Sequence, residues 1–298
     1  MSLSKPQDGR GGITADLVRL LLAEQAPQWA DLSVEPVPVD GWDNRTYRLG
    51  DQLSVRLPSH PRYAAAVAKE DRWLPVLAPH LPLPVPELVF AGTPSEPYPL
   101  PWSVRRWLPG ETASEDSVAD PVAFATSLAE FLRALWGVDP AGGPLAGEHS
   151  FYRGCSPEHY DDETRRCIER LAGRVDAAAA SAVWDAALAT EWTRPESWFH
   201  GDIAIGNLLV DGGRLAAVID FGTSGVGDPA CDLVIAWTFL TGRARTAFAD
   251  VVDLGADTWA RARGWALWKA LISVTDDPAT STLPLRVIEE TLADPVVA

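Results

Sequence analysis

The apolar rhythm at the start of the chain is helical. Leu17, Leu20, Leu21 and Ala23 recur at helical intervals within residues 13–26, and Thr14 stands before them as a capping residue. The rhythm then becomes strand-like over residues 34–39, 45–49 and 53–57, with Gly50-Asp51 as a hairpin turn. A helix is predicted over 61–74, opened by Pro61 where a missing N–H costs nothing. The Pro-rich stretch 75–86 reads as extended chain, because residues before proline are pushed out of helix. Short strands follow at 88–91 and 102–107. From Asp120 onward helical periodicity dominates, over 122–136, 160–180 and 183–188. A strand at 198–200 precedes two more at 207–210 and 215–221, joined through Asp211-Gly212-Gly213 as a hairpin. Helices resume at 231–240, 244–252, 257–274 and 285–292. A strand-rich first third and a helix-rich remainder predict two lobes, residues 1–108 and 109–298, parting at Leu108-Pro109-Gly110.

Composition narrows the classes of function. The 298 residues suffice for a full hydrophobic core, and 47% hydrophobic with 22% charged residues is globular composition, not disorder. A net charge of −16 argues against a general nucleic-acid binder, which needs clustered Lys and Arg. It suits a cationic partner better, although acidity also serves solubility alone. Cys155, Cys167 and Cys231 are scattered and form no CxxC pair, so neither a disulfide framework nor a zinc site is expected. No apolar signal core opens the chain, and runs such as residues 233–236 are far too short to span a membrane. The expected setting is the cytoplasm, with no nucleic-acid or membrane partner; the oligomeric state stays open.

The chemistry concentrates in His200-Gly201-Asp202-Ile203-Ala204-Ile205-Gly206-Asn207, followed by Asp220-Phe221-Gly222. Two carboxylates and one amide sit at the ends of short strands, bracketing a tight loop. Taken singly, each is an ordinary turn cap. Together they form a set of hard oxygen donors suited to Mg²⁺ and phosphate, with a carboxylate placed to accept a proton from a hydroxyl. The set resembles a kinase catalytic loop, with its D-x-x-x-x-N spacing, and the Asp-Phe-Gly metal motif. Gly201 stands where protein kinases carry Arg. His-Gly-Asp there, with Gly227-Asp228-Pro229-Ala230-Cys231-Asp232-Leu233 following, resembles the aminoglycoside phosphotransferase family of small-molecule kinases.

That resemblance runs from about Val34 to Trp268 and implies an α+β, two-lobed protein-kinase-like fold. Its N-lobe is an antiparallel sheet with a helix, binding nucleotide. Its C-lobe is mainly helical and holds the catalytic and acceptor groups. By the same resemblance, Gly41-Trp42-Asp43-Asn44-Arg45-Thr46-Tyr47 is the loop over the nucleotide, with Asn44 among its contacts. Arg56, in Ser54-Val55-Arg56-Leu57-Pro58, takes the place of the phosphate-holding Lys; the two are not equivalent phosphate ligands. Glu70 is its ion-pair partner, Asp71 the runner-up, and Arg106 and Leu108 mark the hinge that meets the purine. Asp202 becomes the catalytic base, Asn207 and Asp220 the Mg²⁺ ligands. His200 is expected to hold the loop, and Asp228 and Asp232 to cap a helix or brace that loop.

The implied reaction moves the γ-phosphoryl group of ATP or GTP to a hydroxyl of a small molecule. An aminoglycoside heads the acceptors. The alternatives are a metabolic amino alcohol, sugar or homoserine-like compound, a macrolide (the N-terminal segment resembles macrolide phosphotransferases too), or nucleotide binding without transfer. The acidic run Glu158, Asp161, Asp162 and Glu163 offers sites for ammonium groups, but reads more simply as a solvated helix end, and Arg165 and Arg166 offset it.

Overall fold

The computed structural model describes residues 12–38 and 43–294. Gly41 and Trp42 of the loop motif, and the end of the expected strand at Val39, lie outside the described residues. The chain divides into two compact units. One runs as far as Pro79 and adds Pro84–Pro109; the other joins His80–Leu83 to the chain from Gly110 onward.

In the first unit, α1 (Ala15–Gln25) is capped by Thr14, whose hydroxyl accepts the Leu17 N–H at 3.2 Å. Its buried residues are Val18, Leu21 and Leu22, whereas Leu20 is 53% exposed. Of the helically spaced residues, Leu21 is in the core and Leu17 packs against it, and Val18 and Leu22 join Val34, Leu49 and Trp102 there. Strands β1 (Val34–Pro36), β2 (Asn44–Leu49) and β3 (Leu53–Pro58) precede α2 (Pro61–Leu77), and β4 (Leu88–Gly92) and β5 (Trp102–Arg106) complete the sheet. The order is β1-β2-β3-β5-β4, antiparallel throughout. The register sets Arg56 between Thr46 and Ser103 on the central strand. Alternation sends Val55 and Leu57 to the core face and Arg56 to the other. Helix α2 corrects one expectation: it runs through Pro75 to Leu77. Burial of Leu74 and Leu77 outweighs the hydrogen bond that proline removes.

The second unit is mainly helical. It contains β6 (Glu111–Thr112), α3 (Pro121–Trp136), α4 (Asp161–Arg170), α5 (Ala177–Leu188) and β7 (Ser197–Phe199). Strands β8 (Leu208–Asp211), β9 (Arg214–Val218) and β10 (Gly225–Gly227) follow, then α6 (Ile235–Thr238), α7 (Gly242–Val252), α8 (Ala256–Ser273) and α9 (Pro278–Ala293). Two small sheets, β6-β8-β9 and β10-β7, carry the loops of interest. Helix α3 packs on β7 and β9 of these sheets, and helix α8 packs against α5 and α9. The close approach to α5 requires Gly264, where a Cβ would come within 2.5 Å of Ala187 Cβ.

Two helix expectations are corrected here. Residues 160–180 do not form one helix: Gly173 turns the chain at φ +88°, and Asp176 caps α5 by accepting the Ala178 and Ala179 N–H groups. Residues 231–240 are a 3₁₀ segment, Pro229–Val234, followed by the short α6. That tighter backbone carries Asp232, whose side chain reaches back to the loop at His200. Among the described residues no helix is long and apolar enough to cross a membrane.

Candidate active site

The loop after β7 is built around buried polar groups. His200 is fully buried; its Nδ1 accepts the Asp202 N–H at 3.2 Å, so the opposite nitrogen, Nε2, donates to the Ile219 carbonyl at 3.0 Å. The ring therefore ties the loop to the end of β9 and serves as a structural brace. Gly201 sits at φ +85°, with Thr223 O 3.0 Å from where a Cβ would lie, so glycine is required there. Asp232, also fully buried, accepts the N–H groups of His200 at 3.0 Å and Gly201 at 2.7 Å, and the Trp136 indole N–H at 3.2 Å. Burial pushes its carboxyl up, and those donors oppose the rise. Asp228 caps the next segment by accepting the Ala230 N–H, and pairs with buried Arg261 at 2.6 Å.

Asp202 is pinned at both oxygens. Oδ2 accepts Asn207 Nδ2 at 3.1 Å, and Oδ1 accepts Lys269 Nζ at 2.7 Å. Asn207 Nδ2 also donates to the Asp202 carbonyl at 2.9 Å. The side chain stays 32% exposed. Burial alone would raise its carboxyl, but the Lys269 ammonium, by charge and by hydrogen bond, brings it below the ordinary carboxylate value. Asp202 is therefore ionised at neutral pH.

Asp220 follows closely. The Ile219 N–H donates to the Asn207 carbonyl at 2.9 Å, so Asp220 begins one residue from the loop. It holds φ +66°, a left-handed conformation that Asp tolerates better than most residues. With Asn207 Nδ2 engaged by Asp202, the amide oxygen is the donor left for a cation. That oxygen and the Asp220 carboxylate are hard donors of the type Mg²⁺ takes. Among the described residues no group of three or more His, Cys, Asp or Glu side chains is gathered as a metal cage. A cation held here draws few ligands from the protein, which suits Mg²⁺ with phosphate and water.

In the first unit, Arg56 pairs with buried Glu70 at 3.2 Å. Glu70 is shared, for Arg105 Nη2 lies 3.4 Å from the same oxygen. Asp71, the runner-up in sequence, is hydrogen-bonded by Arg105 instead. Asn44 is buried at the start of β2, with its Oδ1 among the buried atoms that have no hydrogen-bond partner. Arg106 is exposed and pairs with Glu87 at 3.4 Å, and its amide already donates to the Glu87 carbonyl. Leu108 is half-buried.

Burial lifts the Asp71 carboxyl to about 6 against the opposing pull of Arg105. A raised folded-state value means that the folded protein holds this proton more tightly than the unfolded chain. Stability from this group is then full below about pH 4 and is lost as pH rises through 6. Melting temperatures of the parent and Asp71→Asn should show it: the parent's advantage shrinks between pH 4 and 6 and is constant above. A difference that stays flat across that window contradicts the assignment.

Lys269, Arg105 and Arg153 have no prominence in the motif reading. Lys269 is one of only three lysines in the chain, the others being Lys5 and Lys69, and it lies four residues after Trp265 on α8. A lone lysine on a tryptophan-lined helical face is the signal that points to it.

A family model described as the phosphotransferase enzyme family matches residues 33–265. No curated protein sequence matches the chain. Among solved structures, the GDP complex of aminoglycoside 2'-phosphotransferase-IIIa superimposes with a TM-score of 0.72 at 18% identity, covering 94% of this chain and 99% of that one. The macrolide 2'-phosphotransferase MphH apoenzyme from Brachybacterium faecium gives 0.61 at 24% identity, covering 92% and 97%. The ADP-bound aminoglycoside phosphotransferase APH(2'')-Ib gives 0.60 at 14% identity, covering 94% and 97%. At these identities the likeness establishes a shared kinase-like fold.

Proposed function

The chain belongs to the phosphotransferase enzyme family, and from that membership we propose that it moves the γ-phosphoryl group of ATP or GTP to a hydroxyl of a small molecule. Asp202 orients the acceptor hydroxyl. As the acceptor oxygen bonds to the γ-phosphorus, the bond from phosphorus to the nucleoside diphosphate oxygen breaks, and the hydroxyl proton passes to Asp202. The observation that carries this reading is the Asn207 side chain closed on both the carboxylate and the carbonyl of Asp202. It sets the base and the nearest oxygen donor as one rigid piece, and positioning does most of the work in phosphoryl transfer.

Asn207 and Asp220 are the residues that would hold Mg²⁺, which when bound neutralises phosphate charge. Arg56, with Glu70 behind it, holds the α- and β-phosphates. Asn44, Arg106 and Leu108 remain the proposed nucleotide contacts, and for Arg106 the engaged amide leaves other groups to make that contact. Nucleoside diphosphate release that requires an added hydroxyl compound, with a new phosphate ester in the ³¹P spectrum, is the direct test. Nucleotide binding with no transfer to any acceptor would favour a silent nucleotide-binding protein.

Arg56→Ala should raise the KM for nucleotide by roughly ten- to a hundredfold, the scale expected on removing a charge-assisted hydrogen bond to a phosphate. The fold should survive, because Arg105 still neutralises Glu70. An unchanged nucleotide KM removes Arg56 from the site.

A further inference from the structure

We propose that the acceptor is a hydroxy acid, whose carboxylate is received by Arg153 and Lys269 beside Asp202. This rests on the phosphotransferase reading and narrows it to a substrate class. A small cavity lies against Asp202, walled by Arg153, Trp265, Trp268 and Lys269 together with the backbone at Gly201. Among the residues that line it, two cations, Arg153 and Lys269, accompany one carboxylate, Asp202.

Arg153 is the informative residue. Its guanidinium lies 5.2 Å from the Trp268 ring centre and 5.8 Å from that of Phe151. It is half-buried, and among the described residues no carboxylate pairs with it. A partly desolvated cation without an acid is costly unless a ligand supplies one. Its planar fork matches a carboxylate in a bidentate way, which a lysine alone cannot do. The indole N–H of Trp265, on the same wall, is buried and has no hydrogen-bond partner. The lining is thus rich in donors and short of acceptors, as suits an anionic oxygen ligand.

Two carboxylates of the acidic run are already engaged within the protein. Asp161 accepts hydrogen bonds from Arg165 and from the Trp184 indole, both at 2.7 Å. Glu163 accepts the Trp268 indole N–H at 2.9 Å. These two carboxylates hold the helices around the cavity, and an ammonium-rich acceptor entering it would meet Arg153 and Lys269.

Matched polyols differing only in one terminal group test the proposal on the full-length protein: gluconate, glucitol and glucamine, then glycerate, glycerol and 3-aminopropane-1,2-diol. Binding is read by tryptophan fluorescence and transfer by nucleoside diphosphate release. Each acid should bind at least tenfold more tightly than its neutral and amine partners. Arg153→Gln should weaken acid binding about tenfold and leave the neutral partner within twofold, with Arg153→Lys intermediate. Equal binding within each triple, tighter binding of the amines, no binding of either acid, or an Arg153→Gln effect common to all three ligands overturns the proposal. Acid binding that depends on Arg153 but never leads to transfer, while another hydroxyl compound is phosphorylated, sustains the anion site and overturns the acid as acceptor; no transfer to any compound overturns the phosphotransferase reading. Transfer to the amines but not the acids sustains that reading and overturns the proposal.

Discussion

Asp202→Ala is expected to lower kcat by about a thousandfold, the middle of the range that a positioned general base contributes. Its melting temperature should stay within a few degrees of the parent's. The reason lies in what the substitution leaves intact. Asn207 Nδ2 still donates to the backbone carbonyl of residue 202, so the loop remains closed. The His200 ring still bridges that loop to Ile219, since its partners are backbone groups. Lys269 loses its carboxylate partner but is 36% exposed and can be hydrated. Circular dichroism, melting temperature and single-turnover transfer on one preparation separate a missing base from a damaged fold. Full activity in a folded Asp202→Ala protein would falsify the catalytic assignment.

Asp232→Ala should act in the opposite way, through stability first. It removes the one carboxylate that accepts from His200 N, Gly201 N and the Trp136 indole, all inside a fully buried environment. A buried donor left without an acceptor costs about 1–3 kcal/mol. Three of them, partly relieved by losing a carboxylate that burial disfavours, imply a loss of about 3–5 kcal/mol. For a unit of this size that is a fall of roughly 10 °C in melting temperature. Asp232→Asn keeps one acceptor oxygen and should lose about half as much. Transfer should decline with Asp232→Ala even below the melting transition, because the backbone that aims Asp202 loses its anchor. Thermal unfolding at the parent's temperature would show that the three hydrogen bonds do not brace the loop.

Both expectations turn on residues that stand out along the chain, yet the two differ in how much of their role is legible there. The D-x-x-x-x-N interval is a loop-length constraint, and closure of so short a loop is local physics. Asp202 and Asn207 are therefore legible as a pair, and the two meet at 3.1 Å. Asp232 is legible only as a capping or bracing group. Its backbone partners lie 32 and 31 residues back, and no local pattern encodes that distance. Helix boundaries fail for the same reason. The extended-chain expectation at 75–86 fails over its first residues, 75–77, because Leu74 and Leu77 are buried, and a burial term outweighs a missing N–H. In α1 the spacing predicts the helix, and the sheet to be covered decides that Val18 and Leu22 turn in beside Leu21.

Arg56 shows the same division. Alternation in β3 sets it opposite Val55 and Leu57, and helical spacing leaves Glu70 and Asp71 as rival partners. The choice between them waits on Arg105, which takes Asp71 and also leans on Glu70. Such three-body sharing is a property of packed side chains and has no signature along the chain.

Local order determined most of the elements, the division into a strand-rich and a helix-rich part, and the residue types able to handle phosphate, because turn chemistry and side-chain periodicity act over a few residues. Tertiary structure alone decided that Lys269 and Arg153 join Asp202. They come from segments 67 and 49 residues away, and only the packing of α8 and of the segment carrying Arg153 around the catalytic loop brings their charges together. The net charge of −16 suits a cationic partner but serves solubility alone equally well, because it sums over the whole chain, whereas a site is decided by the few charges that packing gathers.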